Sequence, residues 1–157
     1  MKQHRYKINV LWTGNTGKGT ESYTSYERNH TIAVEGKSII HGSSDPSFRG
    51  DKTKYNPEEL FVTSLSTCHM LWFLHLCSDA KITVTGYTDI ATGIMEETSD
   101  GGGKFKEVTL HPVVVITDEA MIEKANELHH RANQLCFIAN SCNFPIYHQP
   151  TCKLKNG

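Results

Sequence analysis

From Tyr6 to Trp12 (YKINVLW) apolar and polar residues alternate with a period of two, which predicts a β-strand. TGNTGKG, residues 13–19, follows as a turn. Strand-like pieces recur at 21–27 (ESYTSYE) and 30–36 (HTIAVEG), and a turn at Gly36 and Lys37 leads into SIIHG. Residues 43–55, SSDPSFRGDKTKY, then form a long polar loop. Loops of this length are uncommon in compact domains and often carry function.

The pattern changes at Asn56. Asn56 suits an N-cap, Pro57 the first helical position, and Glu59 closes a capping box, so a helix begins here and runs to about Ser78. It is apolar nearly all round, which predicts a central, buried helix. Two long β segments, 81–97 and 104–117, are joined by TSDGGG and predict a hairpin. Asp118 caps a second helix. On it Met121, Ala125, Leu128, Ala132, Leu135 and Cys136 recur at three- and four-residue spacing and define one buried stripe. NFPIYHQPTCKL reads as a closing strand interrupted by Pro145 and Pro150. The order of β-rich segment, helix, hairpin, helix and strand predicts an α+β fold, and 157 residues predict one domain over 1–157.

A formal net charge of −1 removes the electrostatic case for a nucleic-acid or anionic-membrane partner. The first ten residues hold no apolar h-region, so no secretory signal is expected. The apolar run from Leu60 to Leu76 is short and broken by Ser, Thr and His, which favours a buried helix over a membrane span. The five cysteines, an odd number without a CxxC, predict reduced thiols in a cytoplasmic protein with at most one redox-active pair.

Four constellations carry possible chemistry. GNTGKGT fails as a phosphate loop, because Trp12 stands where the first glycine is needed and Gly19 follows Lys18. Zinc ligands could be drawn from Cys68, His69, His75, Cys77, Cys136 and Cys142, but their spacings match no zinc ribbon or finger. A cysteine hydrolase would need a base; His69 points about 100° away from Cys68 on a helix, and nothing singles out His129 or His130 instead. The fourth constellation pairs Cys68 with Cys136. If their helices pack together, the thiols approach disulfide range. Ser64, Ser66 and Thr67 thin the helix around Cys68 and leave room for a small substrate or a second helix. Two buried helical cysteines can equally be inert packing.

NPEELFVTSLSTCHM (Asn56–Met70) resembles the first cysteine motif of the OsmC/Ohr superfamily, the osmotically inducible and organic hydroperoxide resistance proteins. There the reactive cysteine lies ten residues after a glutamate, as Cys68 follows Glu58. HHRANQLCFIANS (His129–Ser141) resembles the second cysteine motif. The resemblance covers nearly the whole chain. It implies β-sheets packed around two central helices, an intertwined homodimer, and a dithiol-dependent peroxidase without cofactor that reduces organic hydroperoxides. Cys68 would be the peroxidatic thiol and Cys136 the resolving one. The family's active-site arginine comes from a variable upstream segment. Arg49 fits best and Arg28 is the second candidate.

An unassisted thiol is mostly protonated at neutral pH. Cys68 lies about three turns into its helix, too far for the helix N-terminus to help much. The arginine would supply the positive field, and Glu58 would orient it through a bidentate pair. Ten helical residues span about 15 Å, so Glu58 cannot easily reach Cys68 of its own helix; if both serve one site, Glu58 comes from a second chain. Two other readings use the same fold: a binding protein for a small apolar ligand, with inert thiols, and a redox sensor that forms the disulfide without efficient turnover.

Overall fold

β1 (Asn9–Trp12), β2 (His30–Ala33) and β3 (Ile40–Gly42) form an antiparallel sheet in that order. The structure, a computed structural model, describes residues 2–155. They fall into two compact units that divide between Phe61 and Val62.

In the first unit the strand expected over 21–27 is absent; these residues are turns and bends. Ser25 N donates to Ser22 O at 3.1 Å, Ser22 N donates to Ser25 Oγ at 3.0 Å, and Ser25 Oγ also reaches Gly19 O. Local serine bonds of this kind offer the backbone an alternative to a ladder, and here they override the β-preference of the neighbouring tyrosines. The polar loop is equally ordered by its own side chains. Asp45 caps a 3-10 turn over Pro46–Phe48 by accepting from Ser47 N at 2.7 Å. Asp51 accepts from Thr53 N and Oγ1, and Ser43 Oγ accepts from Asp51 N. A parallel bridge between Gly42 and Tyr55 closes the loop.

α1 (Pro57–Asp79) begins as the sequence predicts: Glu59 N donates to Asn56 Oδ1 at 2.8 Å, and Asn56 N donates to Glu59 Oε2 at 3.1 Å. The boundary between the units falls inside this helix. Its burial differs from expectation. Only Leu65, His69, Phe73 and Cys77 are buried, one stripe at four-residue spacing, while Leu71 stands 63 % exposed. Apolar composition all round therefore does not mean burial all round within this chain. By length and composition α1 could also cross a membrane.

In the second unit the two long β segments each break once, at the same level. The first becomes β4 (Val84–Asp89) and β5 (Thr92–Glu97); the second becomes β6 (Gly103–Leu110) and β7 (Pro112–Ile116). At the break Asp89 Oδ1 accepts from His111 N at 2.7 Å and its Oδ2 accepts from Ser66 Oγ at 2.5 Å, so the kink is pinned to α1. β8 (Ile146–His148) adds in parallel to β6, and β9 (Thr151–Leu154) in parallel to β7. The closing strand is thus interrupted, as its prolines predict. α2 (Ile122–Leu135) buries Ala125, His129 and Ala132. The core joins Phe73 and Cys77 of α1 to Ile82, Val114, Ile116, Ala125 and Ala132.

Candidate active site

Of the four residues expected to carry the chemistry, Cys68 and Cys136 are brought together. Their positions differ from the two buried stripes that the spacing predicts. Cys68 is half-buried, beside the stripe of α1. Cys136 is 1 % exposed, but α2 ends one residue before it and its backbone is extended (φ −66°, ψ 111°). Asn133 O accepts from Cys136 N, and Asn140 Nδ2 donates to Gln134 O, so residues 136–142 curl back over the end of the helix. Ala139 N thereby donates to Cys136 Sγ at 3.4 Å.

The two thiols are neighbours, close enough for Cys68 to act on the Cys136 proton. Burial above all, and then the bond to Cys68, pushes the Cys136 thiol up to about 11 against the pull of the Ala139 and Ile138 N–H groups. Cys136 therefore holds its proton through the neutral range and can offer it to Cys68.

Arg49 and Glu58 lie in the first unit. Arg49 is exposed, in left-handed backbone (φ 64°) after the 3-10 turn, and forms no ion pair among the described residues. Glu58 sits in the first turn of α1 with its Oε2 buried and unbonded. Arg28, the second candidate arginine, is held locally: Nη1 donates to Tyr26 O at 2.6 Å, Nη2 to Tyr23 O at 2.7 Å, and both tyrosine rings face its guanidinium at 4.2–4.3 Å.

Cys77 is buried in the core and pushed up to about 12 by burial first and then by Cys152 nearby. Cys142 donates to Ile138 O. What the sequence did not single out is a run of four histidines, His129, His69, His148 and His130, each within ring contact of the next. The adjacent pair His129–His130 was the visible signal; its partners come from α1 and β8. Among the described residues no group of three or more side chains could hold a metal ion.

With this geometry in hand, the OsmC-like protein family profile matches residues 50–149. The chain belongs to the OsmC-like family. An OsmC-like protein of unknown function from Vibrio cholerae is 32 % identical, over 95 % of this chain and 100 % of that one, with a TM-score of 0.82. Two further structures share the fold. An organic hydroperoxide resistance protein from Elizabethkingia anophelis is 23 % identical, covering 98 % and 100 % of the two chains, with a TM-score of 0.67. An organic hydroperoxide resistance protein from Legionella pneumophila is 18 % identical, covering 96 % and 98 %, with a TM-score of 0.66. No curated protein matches the chain. The α+β OsmC-like fold and the resemblance to the OsmC/Ohr superfamily both hold.

Proposed function

We propose that this OsmC-like protein is a cytoplasmic, homodimeric, thiol-dependent peroxidase that reduces organic hydroperoxides by a two-cysteine mechanism. The observation that carries the reading is the Cys68–Cys136 contact, with the more accessible sulfur on Cys68 and the retained proton on Cys136. The Cys68 thiolate attacks a peroxide oxygen: an S–O bond forms, the O–O bond breaks, and the leaving alkoxide takes a proton to become the alcohol. Cys136 then attacks the sulfenic acid. An S–S bond forms, the S–O bond breaks, and the hydroxyl leaves as water with the proton that Cys136 gives up. An external dithiol, itself oxidised to a disulfide, restores both thiols.

Arg49 is the arginine this reading favours, because both terminal nitrogens of Arg28 already bond backbone carbonyls. Glu58, whose Oε2 is buried and unbonded, is its orienting partner, contributed from a second chain. Mass spectrometry of the intact protein after one equivalent of an organic hydroperoxide tests the assignment. The expected product is a Cys68–Cys136 disulfide, with turnover when a dithiol is supplied. Cys68→Ser should abolish turnover; Cys136→Ser should react once and stop at the sulfenic acid. Wild-type activity in Cys68→Ser would sink the proposal. A disulfide without turnover would turn it into a sensor, and no reaction at all into a ligand-binding protein.

A further inference from the structure

Behind the two cysteines lies a pair of histidines that this chemistry does not use. His69 follows Cys68 on α1 and is fully buried; His129, 1 % exposed, precedes Cys136 by seven residues. His69 Nε2 is 3.0 Å from His129 Nδ1, the rings lie within 7° of parallel, and their centroids are 5.3 Å apart. That centroid separation is the N···N distance plus one ring radius at each end. Both nitrogens therefore lie on the line between the ring centres, and the rings are coplanar, joined end to end by one shared proton. A metal ion does not fit between them. Zinc sits about 2.0–2.1 Å from each ligand nitrogen, so two nitrogens in line across it need more than the 3.0 Å available.

One ring donates across this bond and the other accepts. Whichever way the proton lies, one of the outer nitrogens, His69 Nδ1 or His129 Nε2, carries a hydrogen and the other a lone pair. Both are buried, and among the described residues no group bonds either. Among the described residues no carboxylate bonds either ring. Phe73 of α1 lies flat on His129 at 3.8 Å. From β8, His148 approaches His69 at 5.7 Å and accepts or donates across 3.2 Å to the exposed His130 of α2. From β4, the Tyr87 ring packs against Phe73 at 5.9 Å. The Asp89 carboxylate is taken by Ser66 Oγ and His111 N. The thiols of Cys68 and Cys136 are neighbours. The charges acting on the two rings are those of other histidines, which repel a further proton.

We propose that the His69–His129 pair is an acid-sensitive latch between α1 and α2: neutral, it ties the helices together beside Cys68 and Cys136, and protonation of both rings, which puts a hydrogen on each of the two facing nitrogens, parts them and separates the thiols. The consequence for disulfide formation rests on the two-cysteine reading; the latch itself does not. Burial first, then His148, pushes His69 down to about 4; burial, then His69 and His148, pushes His129 down to about 3. The sign follows. An unfolded histidine takes its proton near pH ~6.5, while the folded pair refuses it until well below, so acid favours the unlatched state. Stability is fully present above the unfolded value and is lost as pH falls towards the folded ones.

The test needs no peroxide, so it fails or succeeds independently of the peroxidase assignment. Urea unfolding of the reduced protein is followed from pH ~8 to ~4, and the imidazole nitrogens are titrated by NMR over the same range. The folding constant should fall by up to about tenfold per pH unit for each linked proton. Both rings should stay neutral, in complementary tautomers, through the range in which a free imidazole titrates. A His69→Leu/His129→Leu variant should lose most of that pH dependence. Either ring titrating near pH ~6.5 in the folded protein, or an unchanged pH dependence in the double variant, overturns the latch. If the variant does not fold, the wild-type titration decides alone.

Discussion

Two arginines in the first unit illustrate how little residue type says about role. Arg28 spends its guanidinium on two backbone carbonyls and two tyrosine faces, which is structural work. Arg28→Ala is expected to destabilise the protein by about 1–2 kcal/mol, measurable in urea. Arg49 is exposed and forms no ion pair among the described residues. Its backbone is fixed instead: Arg49 N donates to Pro46 O at 3.0 Å, and a Cβ on the next residue, Gly50, would run into Ser44 O. Arg49→Ala should leave stability within about 0.5 kcal/mol. If Arg49 activates the thiol, the same change should slow peroxide reduction at least about tenfold at neutral pH, with the deficit shrinking as pH rises and the thiolate forms unaided. A deficit independent of pH would remove Arg49 from that role. Gly50→Ala should instead disturb the whole loop and lower stability and activity together.

Helix ends show which elements are readable one at a time. The start of α1 was legible because every group in its cap is local: Asn56, Pro57 and Glu59. Its end is equally local but uses an unexpected residue. Lys81 N donates to Ser78 O at 3.1 Å and Ile82 N to Cys77 O at 2.9 Å, the paired bonds of a Schellman motif, with Lys81 at φ 61° where glycine is the usual occupant. A left-handed lysine costs about 1 kcal/mol in backbone strain, so Lys81→Gly should stabilise the protein by about 0.5 kcal/mol once the freer unfolded chain is counted. A higher urea midpoint at unchanged slope would check it. Strands are less legible. Residues 21–27 have strand composition, but serine side chains capture their backbone. The break in the hairpin depends on Asp89 meeting both His111 and Ser66, residues far away in sequence. No periodicity within either segment announces that meeting.

On the scale of the whole molecule, the sequence pointed to the two cysteines by their motifs, but not to the histidines behind them. Cys68 and Cys136 each sit in a recognisable local pattern. His69, His129 and His148 become a cluster only when α1, α2 and β8 pack, and buried histidines look like any others in one dimension. The thiol pair and the histidine pair both join α1 to α2 or to the residue that ends it, one by a bond that oxidation would create and the other by a bond that protonation of both rings would break. This predicts an interaction between redox state and pH. A Cys68–Cys136 disulfide would close a loop of about 70 residues, and chain entropy alone would stabilise the oxidised form by about 4 kcal/mol. The tether would also hold the helices together after the histidines are protonated. The oxidised protein should therefore unfold at higher urea than the reduced one, and its loss of stability on acidification should set in at lower pH. Cys136→Ser cannot form the tether and should follow the reduced curve whether or not peroxide is present. Identical acid profiles for the oxidised and reduced wild type would mean that the two links do not act on the same pair of helices.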